Sequence, residues 1–336
     1  MKKGAHSTSP CMTGRTLQPS CTQFESQFCA DKHALRGYRR RMTSALPPAV
    51  LLAYQTPWNW QQFHGHFALR ALAGVEQLHH DGYCRSFRLG ALSGWFSVHP
   101  ASGQNHLELR HSASANACLP ELVARVRKMF DLDAEPRRIA VHFADDAQLG
   151  PLVARNPGLR LPTAFDPFEQ AVRAIVGQQV TVKAAVTISG RLVTRLGEPL
   201  TDSGIVGIER LFPSPAALAE ANLEGIGMPG KRVQTLQHFA AQVASGALAL
   251  SMADGSAALI ERLCALPGIG PWTAEYIALR AFGEPDAFPA SDLGLLKAPV
   301  WGADGIDAKR LKARAEAWRP WRAYAAAHLW HNYSEG

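Results

Sequence analysis

Cysteine is scarce and poorly spaced for bonding chemistry. The 336 residues hold six (Cys11, Cys21, Cys29, Cys84, Cys118 and Cys264), with no C-x-x-C pair or other metal-ligand spacing. Neither a disulfide framework nor a zinc site is supported, and reduced thiols are the default. Long apolar runs are also missing, since nothing approaches the roughly 20 residues that cross a bilayer. Met1-Lys2-Lys3 leads into small and polar residues without the apolar segment of a signal peptide. The expectation is a cytoplasmic protein, monomeric by default. The body of the chain has little excess charge either. Residues 1–48 carry eight basic side chains against two acidic ones, which accounts for +6 of the total +7. Net charge therefore does not mark the rest as a nucleic-acid binder. A local cluster does remain: Lys309, Arg310, Lys312, Arg314, Arg319 and Arg322. It reads either as a solvated helix face or as a phosphate-contacting surface.

Three regions follow from composition and period. Residues 1–48 are rich in Ser, Thr and Gln and end in Arg39-Arg40-Arg41 before Pro47-Pro48, which predicts a basic, disordered leader. Over 49–132 the pattern predicts a short extended entry and a helix through Trp58, Trp60, Phe63 and Phe67. Three strands follow at 83–89, 95–98 and 106–110, and then a helix through Leu119, Leu122, Val126 and Met129. That is an α+β domain built on an antiparallel sheet. Over 133–336 no convincing strand appears. Helices are predicted within 168–196, at 216–221, at 233–243 and at about 321–333, giving two helical subdomains with a cleft between them. A glycine loop at 225–230 reads as a plain inter-helix turn.

The stretch most loaded with information is Leu266-Pro267-Gly268-Ile269-Gly270-Pro271-Trp272-Thr273-Ala274. Apolar residues at helical spacing lead into it and out of it. Gly268 can take the positive φ that a sharp reversal needs, and Gly270 lets backbone approach a ligand. The exiting helix presents unpaired N–H groups and the positive end of its dipole, which suits a phosphate. This reads as a helix-hairpin-helix gripping a nucleic-acid backbone without reading its sequence. Gly268, Ile269, Gly270 and Thr273 are the positions expected to meet DNA. An ordinary loop between packed helices would look similar, but Asp292 stands 22 residues after Gly270 in Pro289-Ala290-Ser291-Asp292-Leu293-Gly294-Leu295.

Together, LPGIGPWTAEY and FPASDLGL resemble the hairpin, Gly/Pro-rich loop and aspartate of the helix-hairpin-helix base-excision DNA glycosylases. Within them the chain resembles the AlkA-type enzymes over about residues 51–330. The resemblance implies a small antiparallel-sheet domain followed by a mostly α-helical glycosylase body. It implies that Asp292 stabilises an oxocarbenium-like sugar or orients water. Taken alone, Asp292 would equally be a helix cap. Trp272 stands where strand-cleaving relatives carry a Schiff-base lysine, and residues 258–291 contain no lysine. The four cysteines that bind a cluster in the endonuclease III branch are also missing near the C-terminus. The expectation is thus a monofunctional enzyme whose nucleophile is water.

Trp272 and Tyr276 share a helix face, and Trp330 aligns with another pocket aromatic. Rings so spaced can be core, or they can cradle a base that carries positive charge, such as 3-methyladenine or 7-methylguanine. The wedge that fills the gap left by a flipped base falls at Gln179, where other members place Leu. Leu293 replaces a pocket Tyr, and His66-Phe67 lies where the first domain lends the cleft an aromatic. Relatives also hold a monovalent cation on hairpin carbonyls, here those of Cys264, Leu266 and Ile269. No other cofactor is implied. Damaged duplex DNA is the implied partner. Two alternatives stay open at this point: a glycosylase for oxidised or deaminated bases, and a non-catalytic DNA-binding hairpin protein.

Overall fold

The computed structural model describes residues 49–201 and 203–335, and the leader read at residues 1–48 lies outside them. No helix among the described residues is long and apolar enough to cross a membrane. The chain opens with a five-stranded antiparallel sheet in the order β1-β5-β4-β3-β2, formed by β1 (Val50–Ala53), β2 (Glu76–His79), β3 (Gly82–Leu89), β4 (Leu92–Pro100) and β5 (His106–His111). In the centre Ser86 pairs with Trp95 and Val98 with Leu109. In β5, Leu107, Leu109 and His111 are buried while the residues between them are half-buried. This is the period-2 signature of a strand with one face in a core. Two helices cover that face, α1 (Trp60–Ala68) and α2 (Leu119–Met129), through Phe63, Phe67, Leu122 and Val126.

The sequence pattern finds β3, β4 and β5, and it gives β1 as an extended entry. It does not find β2. That strand is the short edge Glu-Gln-Leu-His, and its Glu76 is buried. A buried carboxylate breaks the alternation on which strand reading depends.

The rest is helical: α3 (Pro136–Phe143), α4 (Leu149–Arg155), α5 (Pro167–Val176), α6 (Val182–Leu196), α7 (Pro215–Glu220), α8 (Gly230–Ala244), α9 (Ser256–Cys264), α10 (Pro271–Phe282), α11 (Leu293–Leu296), α12 (Ala308–Ala315) and α13 (Arg322–Glu335). Two cores organise them. One gathers Ala171, Ile175, Leu192, Leu236, Phe239 and Leu263. The other joins Phe143, Leu152 and Leu161 to Leu311, Trp318 and Leu329 from the end of the chain. Helix α10 belongs to both: Ala274, Ile277 and Ala281 face the first core, and Ala278 and Leu279 face the second. The helix that leaves the hairpin therefore runs along the seam between the subdomains.

The sheet is joined to this body by buried charge. Arg85 of β3 donates to Glu169 of α5 at 2.6 Å, and Arg173, one turn further along α5, reaches both Glu169 and Glu76. Burial opposes the ionised form of Glu169, yet Arg85 and Arg173 hold its carboxyl below the usual range.

Candidate active site

The hairpin forms between α9 and α10 as expected from its glycines. Gly268 has φ +85°, and a Cβ there would lie 2.1 Å from Thr235 Oγ1, so both the backbone and the space demand glycine. Gly270 is the opposite case. Its φ is ordinary at −96°, and nothing lies within 4 Å of the place a Cβ would take. That face of the turn is open to a ligand. Gly270 caps α10 without a side-chain hydrogen bond and Pro271 follows, so the amides of the first turn lack an internal side-chain acceptor. Ile269 is buried in the first helical core and its N–H donates to the Leu266 carbonyl, so both side chain and amide anchor the turn.

Thr273 is 3 % exposed. Its hydroxyl accepts from Gln178 Nε2 at 3.0 Å, and the same amide donates to the Gly268 carbonyl at 3.0 Å. The Thr273 hydroxyl is therefore engaged inside the fold. Gln178 ties the loop after α5 to the hairpin, a link that no local pattern reveals. Next to it, Gln179 stands exposed with φ +55°. Non-glycine residues take that conformation rarely and at a cost, and it concentrates at functional sites. Val180 and Val182 beside it are exposed apolar side chains.

Asp292 is brought against the tryptophans. It caps α11, accepting from the Gly294 and Leu295 amides at Oδ1 (3.0 and 3.4 Å). Trp330 Nε1 of α13 donates to the same oxygen at 2.7 Å, and Trp272 Nε1 of α10 donates to Oδ2 at 3.0 Å. Cap and clamp coexist, so the two readings of Asp292 do not compete. Gly294 makes room for this, because a Cβ there would meet Trp330 Cδ1 at 3.0 Å and Asp292 Oδ1 at 3.2 Å. The rings of Trp272 and Tyr276 stack with centroids 5.2 Å apart and planes 13° from parallel, and Tyr276 meets Trp330 edge-on at 6.1 Å. All three rings are half-buried at the margins of the cores. Leu293 is 65 % exposed beside them.

Behind the rings sits Arg280, which the sequence does not single out. It is 7 % exposed, and its guanidinium carbon lies 4.6 Å from the Trp330 ring centroid and 5.9 Å from that of Tyr276. Burial lowers its pKa. His66, in the last turn of α1, is half-buried. Burial first, then the charges of Arg70, Arg280 and Arg173, push its imidazole well below the usual range. Phe67 next to it packs into the sheet core.

The glycine loop at 225–230 is filled from within. Arg191 donates to the Ile226 carbonyl, and a Cβ at Gly227 would collide with that guanidinium. It is an inter-helix turn, as read. The C-terminal basic cluster is partly spent internally. Arg314 pairs with Asp146, while Arg319 and Arg322 pair with Asp286 and Glu316. Lys309 and Lys312 stay exposed. No cluster of three or more metal-ligating side chains occurs among the described residues. In the hairpin, no backbone N–H among the described residues reaches the carbonyls of Cys264 and Ile269, and that of Leu266 accepts only from Ile269.

Two family models match the chain: the AlkA N-terminal domain over residues 49–166, and the HhH-GPD superfamily base excision DNA repair protein over 172–323. The chain is 35 % identical over 289 residues to DNA-3-methyladenine glycosylase 2 of Escherichia coli (strain K12), covering 85 % of this chain and 97 % of that protein. It is 38 % identical over 289 residues to the probable bifunctional transcriptional activator/DNA repair enzyme AlkA of Mycobacterium tuberculosis (strain ATCC 25618 / H37Rv), of which it spans 57 % while 85 % of this chain is covered. Among solved structures, the 3-methyladenine DNA-glycosylase from Archaeoglobus fulgidus shares the fold, with a TM-score of 0.73 and 20 % identity over 85 % of this chain and 98 % of that one. With an AlkA N-terminal domain followed by an HhH-GPD domain, and 35 % identity to an enzyme covered over 97 % of its length, the chain belongs to the AlkA branch of the helix-hairpin-helix base-excision repair superfamily.

Proposed function

We propose that this protein is a monofunctional DNA glycosylase that flips alkylated bases such as 3-methyladenine and 7-methylguanine out of duplex DNA and hydrolyses their N-glycosidic bond. The observation that carries the reading is the carboxylate of Asp292 held by the indole N–H groups of Trp272 and Trp330 beside the Trp272–Tyr276 stack. Those rings offer π faces to a cationic base, an attraction of roughly 0.5–2 kcal/mol. As the bond to C1′ breaks, its electron pair leaves with the base, and a base that was cationic departs neutral without a proton donor. The sugar takes up the positive charge, Asp292 faces it, and water adds to C1′ and gives up one proton to the Asp292 carboxylate or to solvent. The hairpin amides at Gly268, Gly270 and Thr273 hold the phosphate backbone, while the Ile269 amide is spent on the Leu266 carbonyl and shapes the turn. Gln179, projecting on a strained backbone, fills the space of the extruded base.

Trp272 supports hydrolysis without strand cleavage, because the hairpin offers no amine. The lysine that follows the aspartate, Lys297, has its ammonium bonded to the Asp304 carbonyl. The carbonyls of Cys264 and Ile269, without backbone donors among the described residues, and that of Leu266, which accepts from Ile269 alone, support a monovalent cation there, which would neutralise their dipoles where phosphate approaches. A cytoplasmic monomer acting on damaged duplex DNA completes the reading.

Released base from methylated duplex is the deciding measurement. The intact protein should release it, and Asp292→Asn should not, while still binding the duplex. Full release by that variant refutes the assignment. Borohydride should trap no covalent adduct with DNA, and a robust adduct would refute the claim of hydrolysis alone.

A further inference from the structure

The other deeply placed arginines of this fold have carboxylates or several carbonyls as partners: Arg85 has Glu169, Arg173 has Glu169 and Glu76, and Arg160 donates to four backbone carbonyls, those of Gln55, Pro57, Asp131 and Ala134. Arg280, beside the base pocket, has one backbone acceptor. It is more than nine-tenths buried, and no carboxylate among the described residues pairs with it. Nη1 donates to the Pro162 carbonyl at 3.0 Å, and Nε is buried without a partner. A buried charge without a carboxylate partner is costly. Its neighbours are the π face of Trp330 at 4.6 Å and Tyr276, whose ring centroid lies at 5.9 Å and whose side chain hydrogen-bonds it, while the Asp292 charge favours its cationic form. Trp330 in turn donates its N–H to Asp292. Guanidinium, indole and carboxylate thus form a chain through one ring, with charge +1 behind the pocket and −1 in front. His66, next to Arg280, is held neutral and adds no second cation.

We propose that Arg280 is a specificity-determining residue that sets how strongly the pocket prefers cationic over neutral damaged bases, an inference that rests on the glycosylase reading above. A fixed cation on the wall weakens the attraction of the rings for a positive base. It also stabilises a departing neutral base, which leaves with anionic character because the bond's electron pair goes with it. The pocket is therefore balanced in charge and takes both classes. Removing the charge should tilt it toward the cationic class. For a unit charge roughly 8 Å from the base at an effective dielectric of about 20, the tilt is on the order of tenfold or more.

The test compares single-turnover release of 7-methylguanine, cationic, and hypoxanthine, neutral, from otherwise identical duplexes by the full chain. R280M should raise the ratio of cationic to neutral release about tenfold over wild type. R280K, which keeps the charge, should hold the ratio within about twofold. R280Q serves as a second neutral variant in case R280M does not fold, with thermal melting as the control. A merely structural role would slow both substrates together and leave the ratio in place, and that result overturns the proposal. So does an R280K ratio equal to that of R280M, or a wild type that releases 7-methylguanine but no hypoxanthine. Release of neither base by the wild type would instead overturn the glycosylase reading, and this inference with it.

Discussion

Trp330→Phe isolates a single contact in the candidate site. The substitution keeps an aromatic ring between Arg280 and the cleft but removes the Nε1–H that reaches Asp292 Oδ1 at 2.7 Å. A hydrogen bond to a charged group contributes about 1.5–3 kcal/mol. Asp292 keeps its two amide donors and Trp272, so it stays near its place but loses one constraint on its aim. If that contact serves mainly the transition state, release should slow by roughly 10- to 150-fold at saturating enzyme. Duplex affinity should change by less than about threefold, because the lost bond does not touch the phosphate grip. The assay is single-turnover base release from a methylated duplex, with binding followed separately by fluorescence anisotropy. Trp272→Phe, which frees the other oxygen, should slow release by a similar factor, and the double variant by more than either. A Trp330→Phe enzyme working within about twofold of wild type, with normal affinity, would refute the claim that the indoles aim the carboxylate.

Three further outcomes follow from packing and titration. Gly294→Ala would force Trp330 or Asp292 to move by a few tenths of an ångström, and release should slow by about tenfold with little change in melting temperature; an unchanged rate would contradict the tight approach. Gly268→Ala combines a left-handed backbone with a collision against Thr235, so urea unfolding should register a loss of about 2 kcal/mol or more. Adding Thr235→Ala should recover the steric part only. His328 is buried, and burial pushes its imidazole down to about 3. Between pH 6.5 and 5 the unfolded chain binds a proton there that the native one does not, so stability falls as pH falls. The loss over that interval is about 2 kcal/mol, and urea titrations at the two pH values should show it shrinking by that amount in His328→Met.

The parts of the site legible in sequence are those whose chemistry is local. Gly268 and Gly270 announce a reversal because conformational freedom belongs to the residue itself, and Asp292 stands a fixed distance downstream. The central strands were legible through alternation, as in Leu107 and Leu109. What escaped depends on partners far along the chain. Gln178 looks like any exposed loop amide until Gly268 and Thr273, some ninety residues later, fold against it. Arg280 sits in Ala-Leu-Arg-Ala-Phe and resembles a solvated residue near a helix end, because nothing nearby tells of the indole from α13. The basic cluster misleads for the same reason. Asp146 and Asp286, which neutralise part of it, are remote in sequence from some of the arginines they bind.

The ionic joint at Arg85, Glu76, Glu169 and Arg173 makes the sheet part of the catalytic body's foundations. Helix α5, which carries two of those charges, ends directly at the loop bearing Gln178 and Gln179. A chain trimmed to its helices would leave Glu169 with one cation fewer and Arg173 with one anion fewer, in a place where lone charges are poorly tolerated. The small sheet thus serves as the counter-ion that keeps the loop of Gln178 and Gln179 at its post, and excising it should loosen that loop along with the scaffold.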